Sequence, residues 1–257
     1  MIRALLWDVD GTLAETERDG HRIAFNQAFA AAGVPWRWSE GRYGELLAVA
    51  GGRERLLHDM QSQAAAPAAA DERSSLAESL HQLKNQHYAA IVGRGELPLR
   101  PGVAALLKDC REATTRLAVV TTTSRCNVAA LLARHLGAGW AAQFAAVICA
   151  EDAPRKKPDP QAYELALQRL AVPAHATVAI EDSPAGVEAA RRAQVPVVLT
   201  RSHYFPAIGA APVLASGPSL GEVSGWHPQV EFPAKRVTLA QIALWHAAAA
   251  AARAAPH

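Results

Sequence analysis

Two aspartates one residue apart follow a short apolar run near the first residue. The run is Ala4–Trp7, and Asp8 and Asp10 come directly after it in the stretch Asp-Val-Asp-Gly-Thr. Two carboxylates at this spacing repel each other unless a positive group lies between them. The pair therefore indicates a metal site, phosphate chemistry or a surface turn. It does not fit a calcium-binding loop, which needs Gly at its sixth position, where this chain has Leu13.

A carboxylate at the end of a strand can attack phosphorus and form an aspartyl phosphate. Asp8 is the candidate for that attack, and Asp10 is placed to handle the protons. A Mg²⁺ ion between a carboxylate and a phosphate removes their mutual repulsion. Among the possible explanations, this motif favours phosphoryl transfer assisted by a divalent cation.

Three later clusters of polar residues also follow apolar runs. Hydroxyl groups before a helical pattern favour a phosphate, lysines supply positive charge, and paired acids suit a hard metal ion. Taken singly, each cluster also has an ordinary explanation, namely helix capping, a surface lysine pair or an acidic helix start. In chain order the clusters are Thr121-Thr122-Thr123-Ser124, Lys156-Lys157-Pro158 and Glu181-Asp182-Ser183.

Strand-like runs alternate with helical patterns in the second half of the chain. This alternation is typical of a doubly wound parallel α/β sheet with helices on both faces, in which ligands bind at the carboxyl ends of the strands. All four polar clusters follow predicted strands at that end. The predicted strands are Ala4–Trp7, Leu117–Val120, Ala145–Cys149, Thr177–Ile180 and Val195–Leu199, and the predicted helices are Asn127–Leu136, Pro160–Leu170 and Pro184–Ala193.

The stretch between the first two predicted strands is far longer than one crossover connection needs. We therefore predict an inserted helical cap over residues 15–98, with the core formed by residues 1–14 and 99–200. Residues 201–257, rich in Gly, Pro and Ser, are a C-terminal extension, either a covering segment or a frayed helix, to which we assign no chemistry. The predicted cap helices are Arg18–Ala32, Arg42–Met60 and Asp71–Val92.

Taken together and in this order, the four clusters resemble the motifs of the haloacid dehalogenase superfamily of phosphohydrolases, over residues 3–200. The resemblance implies a Rossmann-like core in which Asp8 is the nucleophile. Asp10 would be the general acid and then the base, so Asp8 starts ionised and Asp10 protonated. Thr121 and Lys157 would bind the transferring phosphoryl group, and Lys157 is preferred over its neighbour because it directly precedes a proline.

The same resemblance implies Mg²⁺ as the cofactor. Its ligands would be Asp8, the backbone carbonyl of Asp10 and Asp182, supported by Glu181. The haloacid dehalogenases that give the superfamily its name lack the second aspartate. The presence of Asp10 therefore favours phosphate chemistry over carbon–halogen chemistry.

The cap stretches ETERDGHRIAFNQAF, YGELLAVAGGRERL and LKNQHYAAIV resemble the CbbY subgroup of that superfamily. Members of the subgroup are similar to xylulose-1,5-bisphosphate phosphatases of carbon fixation, which implies a pentulose bisphosphate as substrate. The phosphate that lies away from the metal needs cations of its own. The candidate substrate-binding residues are Arg53, Lys84 and Arg125 for that phosphate, Glu17, His21 and Tyr43 for sugar hydroxyls, and in addition Gly52, Thr122 and Thr123.

Three alternatives fit parts of the same pattern. A mutase similar to β-phosphoglucomutase shares the core and the cap, and the pair Lys84-Asn85 is one that such mutases also use. A phosphoglycolate phosphatase has a smaller substrate, against which the basic cap residues argue. A phosphate-binding protein without turnover would have lost a catalytic position, whereas all of them are present: Asp8, Asp10, Thr121, Lys157 and Asp182.

Composition excludes other classes of protein. The formal charge of +2 over 257 residues is too small for a nucleic-acid surface, and three cysteines without paired spacing are typical of reduced thiols. No apolar stretch reaches the roughly 18–20 residues of a membrane helix. Met1 leads almost directly into a predicted strand, so we expect no signal peptide. We expect a monomeric cytoplasmic enzyme whose partner is a small sugar phosphate, with no nucleic acid and no membrane.

Overall fold

The computed structural model describes residues 1–207, 212–229 and 234–254. Within them, six strands form one sheet in the order β3-β2-β1-β4-β5-β6, and every neighbouring pair is parallel. The predicted doubly wound α/β class is confirmed. The strands are β1 Ala4–Trp7, β2 Arg116–Val120, β3 Ala146–Ile148, β4 Thr177–Glu181, β5 Val197–Thr200 and β6 Ala215–Gly217.

Helices cover both faces of this sheet and form the cap. Within the described residues, none of them is both long and apolar enough to cross a lipid bilayer. In chain order they are α1 Arg22–Ala31, α2 Glu40–Leu46, α3 Gly52–Met60, α4 Ala70–Gly93, α5 Val103–Glu112, α6 Arg125–Leu136, α7 Gln161–Leu170, α8 Pro184–Arg192 and α9 Leu239–Ala254.

Strand β1 shows why the sheet is covered on both sides. Its four side chains are fully buried and alternate between the faces. Leu5 and Trp7 pack in the cluster that contains α5, α6 and α9, whereas Ala4 and Leu6 pack with α7 and α8. A continuous apolar run at the centre of the sheet therefore brings Asp8 to the carboxyl edge.

The helices α1 to α4 have a separate core, rich in aromatic side chains. The segment that contains them leaves the sheet and returns to it at one place, since Ala14 and Leu99 form an antiparallel bridge. The predicted helix Arg42–Met60 is wrong, because the chain breaks between α2 and α3 at Gly51, which has a φ of +95°. The buried residues of this core include Phe25, Phe29, Trp38 from the connection before α2, Tyr43, Leu56 and Leu80.

Local capping agrees with the sequence at α8. Ser183 accepts a hydrogen bond from the Gly186 amide at 3.0 Å, and Pro184 occupies the first turn, as predicted. At α1 the structure differs slightly from the predicted helix Arg18–Ala32, because a π-helical turn, Glu17–His21, precedes the α-helix. Such turns are frequent at functional sites.

The segment after β5 adds a strand to the sheet, which a segment that only covers the core would not do. Strand β6 pairs with β5, and Trp226 stacks on Trp245 of α9 with ring centroids 5.0 Å apart. The three residues of β6, Ala-Ser-Gly, carry no apolar run that would have predicted a strand. Parts of the predicted extension, 208–211, 230–233 and 255–257, lie outside the described residues.

The packing of this segment yields a stability prediction. A Cβ on Gly102 (φ +84°) would lie 2.2 Å from the Leu220 carbonyl carbon, whereas a Cβ on Gly33 (φ +67°) would meet nothing within 4 Å. We expect Gly33→Ala to lower the free energy of unfolding by about 1 kcal/mol, from left-handed strain alone. Gly102→Ala should cost at least about 3 kcal/mol because backbone must also move. Urea unfolding followed by circular dichroism measures both, and equal losses would contradict the packing.

Candidate active site

Four strand ends and the loops after them meet at the carboxyl edge of the sheet. Asp8 follows β1, Thr121 follows β2, Lys157 lies in the connection after β3, and Asp182 follows β4. All four side chains are buried. The structure thus brings together the residues that the sequence motifs selected.

Lys157 holds this edge together. Its ammonium lies 2.6 Å from Asp8 Oδ1, 2.6 Å from Glu181 Oε1 and 2.8 Å from the Val120 carbonyl oxygen, so all three of its donors are used. Burial opposes its charge, but the two carboxylates overcome that effect and raise the Lys157 pKa. Its neighbour Lys156 points elsewhere and pairs with Glu54 of α3 at 2.6 Å. Of the two lysines, Lys157 is therefore the one that contacts Asp8, and its catalytic role stays a prediction.

Asp8, Glu181 and Asp182 form an acidic cluster whose ligand atoms lie within 4.8 Å of one another. Glu181 is fully buried, and its Oε1 accepts hydrogen bonds from Lys157 and from the Tyr163 hydroxyl, both at 2.6 Å. We infer that Glu181 positions Lys157, which leaves Asp8 and Asp182 as the carboxylates best placed for a cation. Tyr163 is absent from the motifs, and its position on α7 carried no signal.

The cluster could hold a hard divalent cation. Its donors are carboxylate oxygens, which Mg²⁺ prefers. Burial, followed by the charges of Asp8 and Glu181, raises the Asp182 pKa well above its usual range, so a cation there relieves a strong repulsion. Gly11 fits beside this carboxylate because a Cβ there would lie 2.1 Å from Asp182 Oδ2. The Asp10 side chain lies outside the cluster, so only its backbone carbonyl stays a candidate ligand.

Asp10 faces the cap. Its Oδ1 accepts a hydrogen bond from the Thr16 hydroxyl at 2.5 Å and lies 3.0 Å from His21 Nε2. The His21 ring is stacked on Tyr88, with the centroids 4.2 Å apart, which fixes its orientation. Burial raises the Asp10 pKa, but His21 and Thr16 more than offset it, so the pKa lies below its ordinary value.

The two aspartates lie in different electrostatic surroundings. Burial raises the Asp8 pKa well above its usual range despite the opposing charge of Lys157. The pKa values of the two carboxyl groups are therefore shifted in opposite directions, and the ionised Asp8 and protonated Asp10 of the sequence analysis stay a prediction. The physical reason is that Asp8 lies among buried carboxylates, whereas Asp10 lies beside His21.

The segment after β2 lines the same opening. Thr121 is buried, and its hydroxyl oxygen accepts a hydrogen bond from the Thr123 amide at 3.2 Å. The amide of Arg125, in the first turn of α6, donates to both Glu151 carboxylate oxygens, at 3.0 and 3.1 Å. The guanidinium of Arg125 pairs with Asp152. A protein carboxylate therefore already caps this helix start.

A cavity of about 240 Å³ extends from Asp10 between the core and the cap. Two predicted binding residues do not line it, since Tyr43 is fully buried behind it and Arg125 pairs with Asp152. The predicted residues that do line it are Glu17, His21, Gly52, Arg53, Lys84, Thr122 and Thr123, and the lining residues that were not predicted include Arg55, His81, Lys156, Glu54 and Ser124.

Arg55 is the cap cation with the most defined position. Its guanidinium donates to the Tyr43 hydroxyl at 2.8 Å and to the Leu46 carbonyl at 3.1 Å, and it lies 3.7 Å from Glu17 Oε2. The Tyr43 hydroxyl in turn donates to Glu17 Oε2 at 2.5 Å. Arg53, which the sequence analysis selected, bonds Ser74 and Glu78 of α4 instead. The sequence signal for Arg55 was present in Gly-Gly-x-Glu-Arg, but spacing alone could not rank the two arginines.

Lys84 is buried in the wall of the cavity. Its ammonium lies 5.3 Å from the Phe25 ring centroid and 5.4 Å from that of Tyr88, and it donates to Asn85 Oδ1 at 3.3 Å. Burial lowers the Lys84 pKa to about 8, against the opposing charges of Asp10 and Glu17. No carboxylate in the described part of the chain contacts this ammonium directly, so the cation is available to an anion in the cavity.

Known proteins resemble this chain in both sequence and fold. The haloacid dehalogenase-like hydrolase family matches residues 2–194. Protein CbbY of Cupriavidus necator is 42% identical over 247 residues, which are 95% of this chain and 97% of that one. CbbY from Rhodobacter sphaeroides in complex with phosphate has a TM-score of 0.83 and 37% identity, over 95% of this chain and all of that one. A mutant of that protein in complex with xylulose-1,5-bisphosphate has a TM-score of 0.79 and 38% identity, over 88% of this chain and 97% of that one.

The match extends through both the sheet and the cap helices, so it includes all the elements that line the cavity. The resemblance to CbbY proteins and the assignment to the phosphatases, both predicted from the motifs, are confirmed. This chain belongs to the haloacid dehalogenase-like hydrolase family.

Proposed function

We propose that the protein is a Mg²⁺-dependent phosphatase of a sugar bisphosphate, with xylulose-1,5-bisphosphate or a related pentulose bisphosphate as substrate. One observation carries this proposal. The cavity that begins at Asp10 is lined on its cap side by Arg53, Arg55 and Lys84. A substrate with one phosphate at Asp8 can thus place a second phosphate against cations. A relative of similar fold was solved with xylulose-1,5-bisphosphate, which supports the choice of sugar.

The cap residues divide between the two parts of such a substrate. Arg55 and Lys84 are buried cations and suit the phosphate remote from Asp8. Glu17, held by Tyr43, and His21 suit the sugar hydroxyls, since both line the cavity. Tyr43 thus acts behind Glu17 rather than on the substrate. Gly52, Thr122 and Thr123 present backbone and hydroxyl groups to the same space.

In the proposed mechanism, an Asp8 carboxylate oxygen attacks phosphorus in line with the departing sugar oxygen. Asp10 protonates that oxygen as its bond to phosphorus breaks, which leaves Asp8 as an aspartyl phosphate. Asp10 then removes a proton from the water that hydrolyses this acyl phosphate. Lys157 and Thr121 neutralise and orient the transferring group, whose loose transition state depends mainly on charge and position.

The residues that would hold Mg²⁺ are Asp8, Asp182 and the Asp10 backbone carbonyl. The ion would supply positive charge that lowers the Asp8 pKa, while the negative charge of a bound phosphate raises that of Asp10. Both effects would favour the ionised nucleophile and the protonated acid that the reaction requires. We propose a monomeric cytoplasmic enzyme, as the sequence analysis predicts.

Replacement of the nucleophile tests the reaction. Asp8→Asn should reduce phosphate release by at least about 10³-fold, because the amide cannot form the ester. Asp71→Asn, an exposed position in α4, is the matched control and should retain full activity. The substrates are xylulose-1,5-bisphosphate, ribulose-1,5-bisphosphate, fructose-1,6-bisphosphate, 2-phosphoglycolate and β-glucose-1-phosphate.

The proposed substrate predicts a kcat/KM for one pentulose bisphosphate about 100-fold above the others, or about 2.7 kcal/mol of discrimination. A flat profile across the panel would refute the substrate. Isomerisation of β-glucose-1-phosphate without phosphate release would indicate a mutase instead.

Metal removal tests the cofactor. Dialysis against a chelator should abolish phosphate release, and Mg²⁺ should restore it. Asp182→Asn should raise the Mg²⁺ concentration for half-maximal activity by at least about tenfold, since a ligand is lost. Glu188→Gln, on the surface of α8, is the matched control and should not change it. Full activity in the chelated protein would contradict Mg²⁺ dependence.

The Lys84 pKa of about 8 predicts a pH dependence. The ammonium is present below that pH and is lost above it, so kcat/KM for the bisphosphate should fall about tenfold between pH 7 and pH 9. Lys84→Arg should abolish the fall, because the guanidinium stays charged. The kcat/KM for p-nitrophenyl phosphate, which lacks a second phosphate, should not show this fall. The same fall for both substrates would exclude Lys84 as its cause.

A further inference from the structure

The four residues Ser202–Phe205, which follow β5, connect the acidic cluster to the cap. Ser202 is buried beside Gly11, where a Cβ added to the glycine would lie 3.2 Å from the Ser202 Cβ and 2.1 Å from Asp182 Oδ2. The next amide, of His203, donates to Glu15 Oε2 at 3.3 Å. Sequence analysis assigned this segment to an extension without chemistry.

Tyr204 leaves the core and packs into the aromatic cluster of the cap. Its ring centroid lies 5.8 Å from that of Tyr43, at an interplanar angle of 53°. It also lies directly against Gly44 of α2, where a Cβ would approach the Tyr204 ring to 3.1 Å. The Tyr204 ring can pack this closely on α2 because Gly44 has no side chain.

The tyrosine that this ring supports has a role in the cavity. The Tyr43 hydroxyl donates to Glu17 and accepts from Arg55, and both of these side chains line the cavity. A shift of the Tyr43 ring moves both at once. Phe205, the residue after Tyr204, lines the adjoining space next to Asp8 and Arg55.

We propose that Tyr204 is a positioning residue that holds the cap in register with the core, so that Glu17 and Arg55 face Asp8 across the cavity. The proposal rests on the proposed function for its substrate, because Glu17 and Arg55 are the groups assigned to the distal part of the sugar bisphosphate. Tyr204 acts through Tyr43 and does not touch the reacting atoms. Ser202 packs against Gly11 beside Asp182, so the same short segment contacts both the acidic edge of the core and the cap.

Two substitutions at this position test the proposal. Tyr204→Ala removes the ring and should lower kcat/KM for xylulose-1,5-bisphosphate by at least about tenfold, mainly through KM, because the distal contacts lose their register. Tyr204→Phe keeps the ring contacts with Tyr43 and Gly44 and should stay within about twofold of the unaltered protein. Hydrolysis of p-nitrophenyl phosphate, which has no distal phosphate, should stay within about threefold in both variants.

A substitution on the opposite side of the contact provides an independent check. Gly44→Ala places a methyl group against the Tyr204 ring and should reproduce the loss toward the bisphosphate. The double variant Gly44→Ala/Tyr204→Ala should lose no more than Tyr204→Ala alone, because the contact is already gone. Additive losses would overturn the assigned contact.

Hydrogen exchange supplies a readout that does not depend on activity. In Tyr204→Ala, amides of α2 should exchange at least about fivefold faster, while those of β1 and β4 stay unchanged. An unaltered kcat/KM toward the bisphosphate in Tyr204→Ala would overturn the proposal, as would an equal loss toward both substrates. If the unaltered protein releases phosphate from no bisphosphate, the proposed function fails, and unchanged exchange in α2 would then overturn the positioning role separately.

Discussion

The buried ammonium of Lys157 is the interaction on which the rest of the site depends. An isolated charge in the interior would cost several kcal/mol, and only full pairing compensates for it. Asp8, Glu181 and the Val120 carbonyl provide that pairing and fix the ends of three neighbouring strands relative to one another. When Asp8, Glu181 and Asp182 are all ionised, Lys157 neutralises one of three negative charges. The remaining two match the charge of one divalent cation.

This balance also explains why the two aspartates differ. Asp8 belongs to the buried acidic cluster, and its pKa is raised, whereas Asp10 points toward His21 and Thr16, and its pKa is lowered. An extended strand would place residues two apart on the same face. The difference comes from the turn after β1, which sends the two side chains into different surroundings. One short motif can therefore supply two carboxylates with separate roles.

The sequence predicted the core of the site far better than the cap. Alternating strands and helices imply that Asp8, Thr121, Lys157 and Asp182 share one edge, since parallel strands present their carboxyl ends together. No comparable rule exists for helices packed through an irregular aromatic core. The break at Gly51, the separate partners of Arg53 and Arg55 and the burial of Tyr43 all depend on tertiary packing. Strand β6 was missed because Ala-Ser-Gly has no strand-like pattern.

The contacts between cap and core include two that differ in how a charged substrate affects them. Lys156 pairs with Glu54 in the wall of the cavity, so an entering phosphate competes with Glu54 for that lysine. The contact of Tyr204 with Tyr43 is made by aromatic rings and carries no net charge, so a charged substrate does not compete for it. Register between cap and core can therefore persist while the ion pairs in the cavity exchange partners. A phosphatase whose substrate carries several charges needs that separation, because its own ion pairs cannot both bind the substrate and hold the cap.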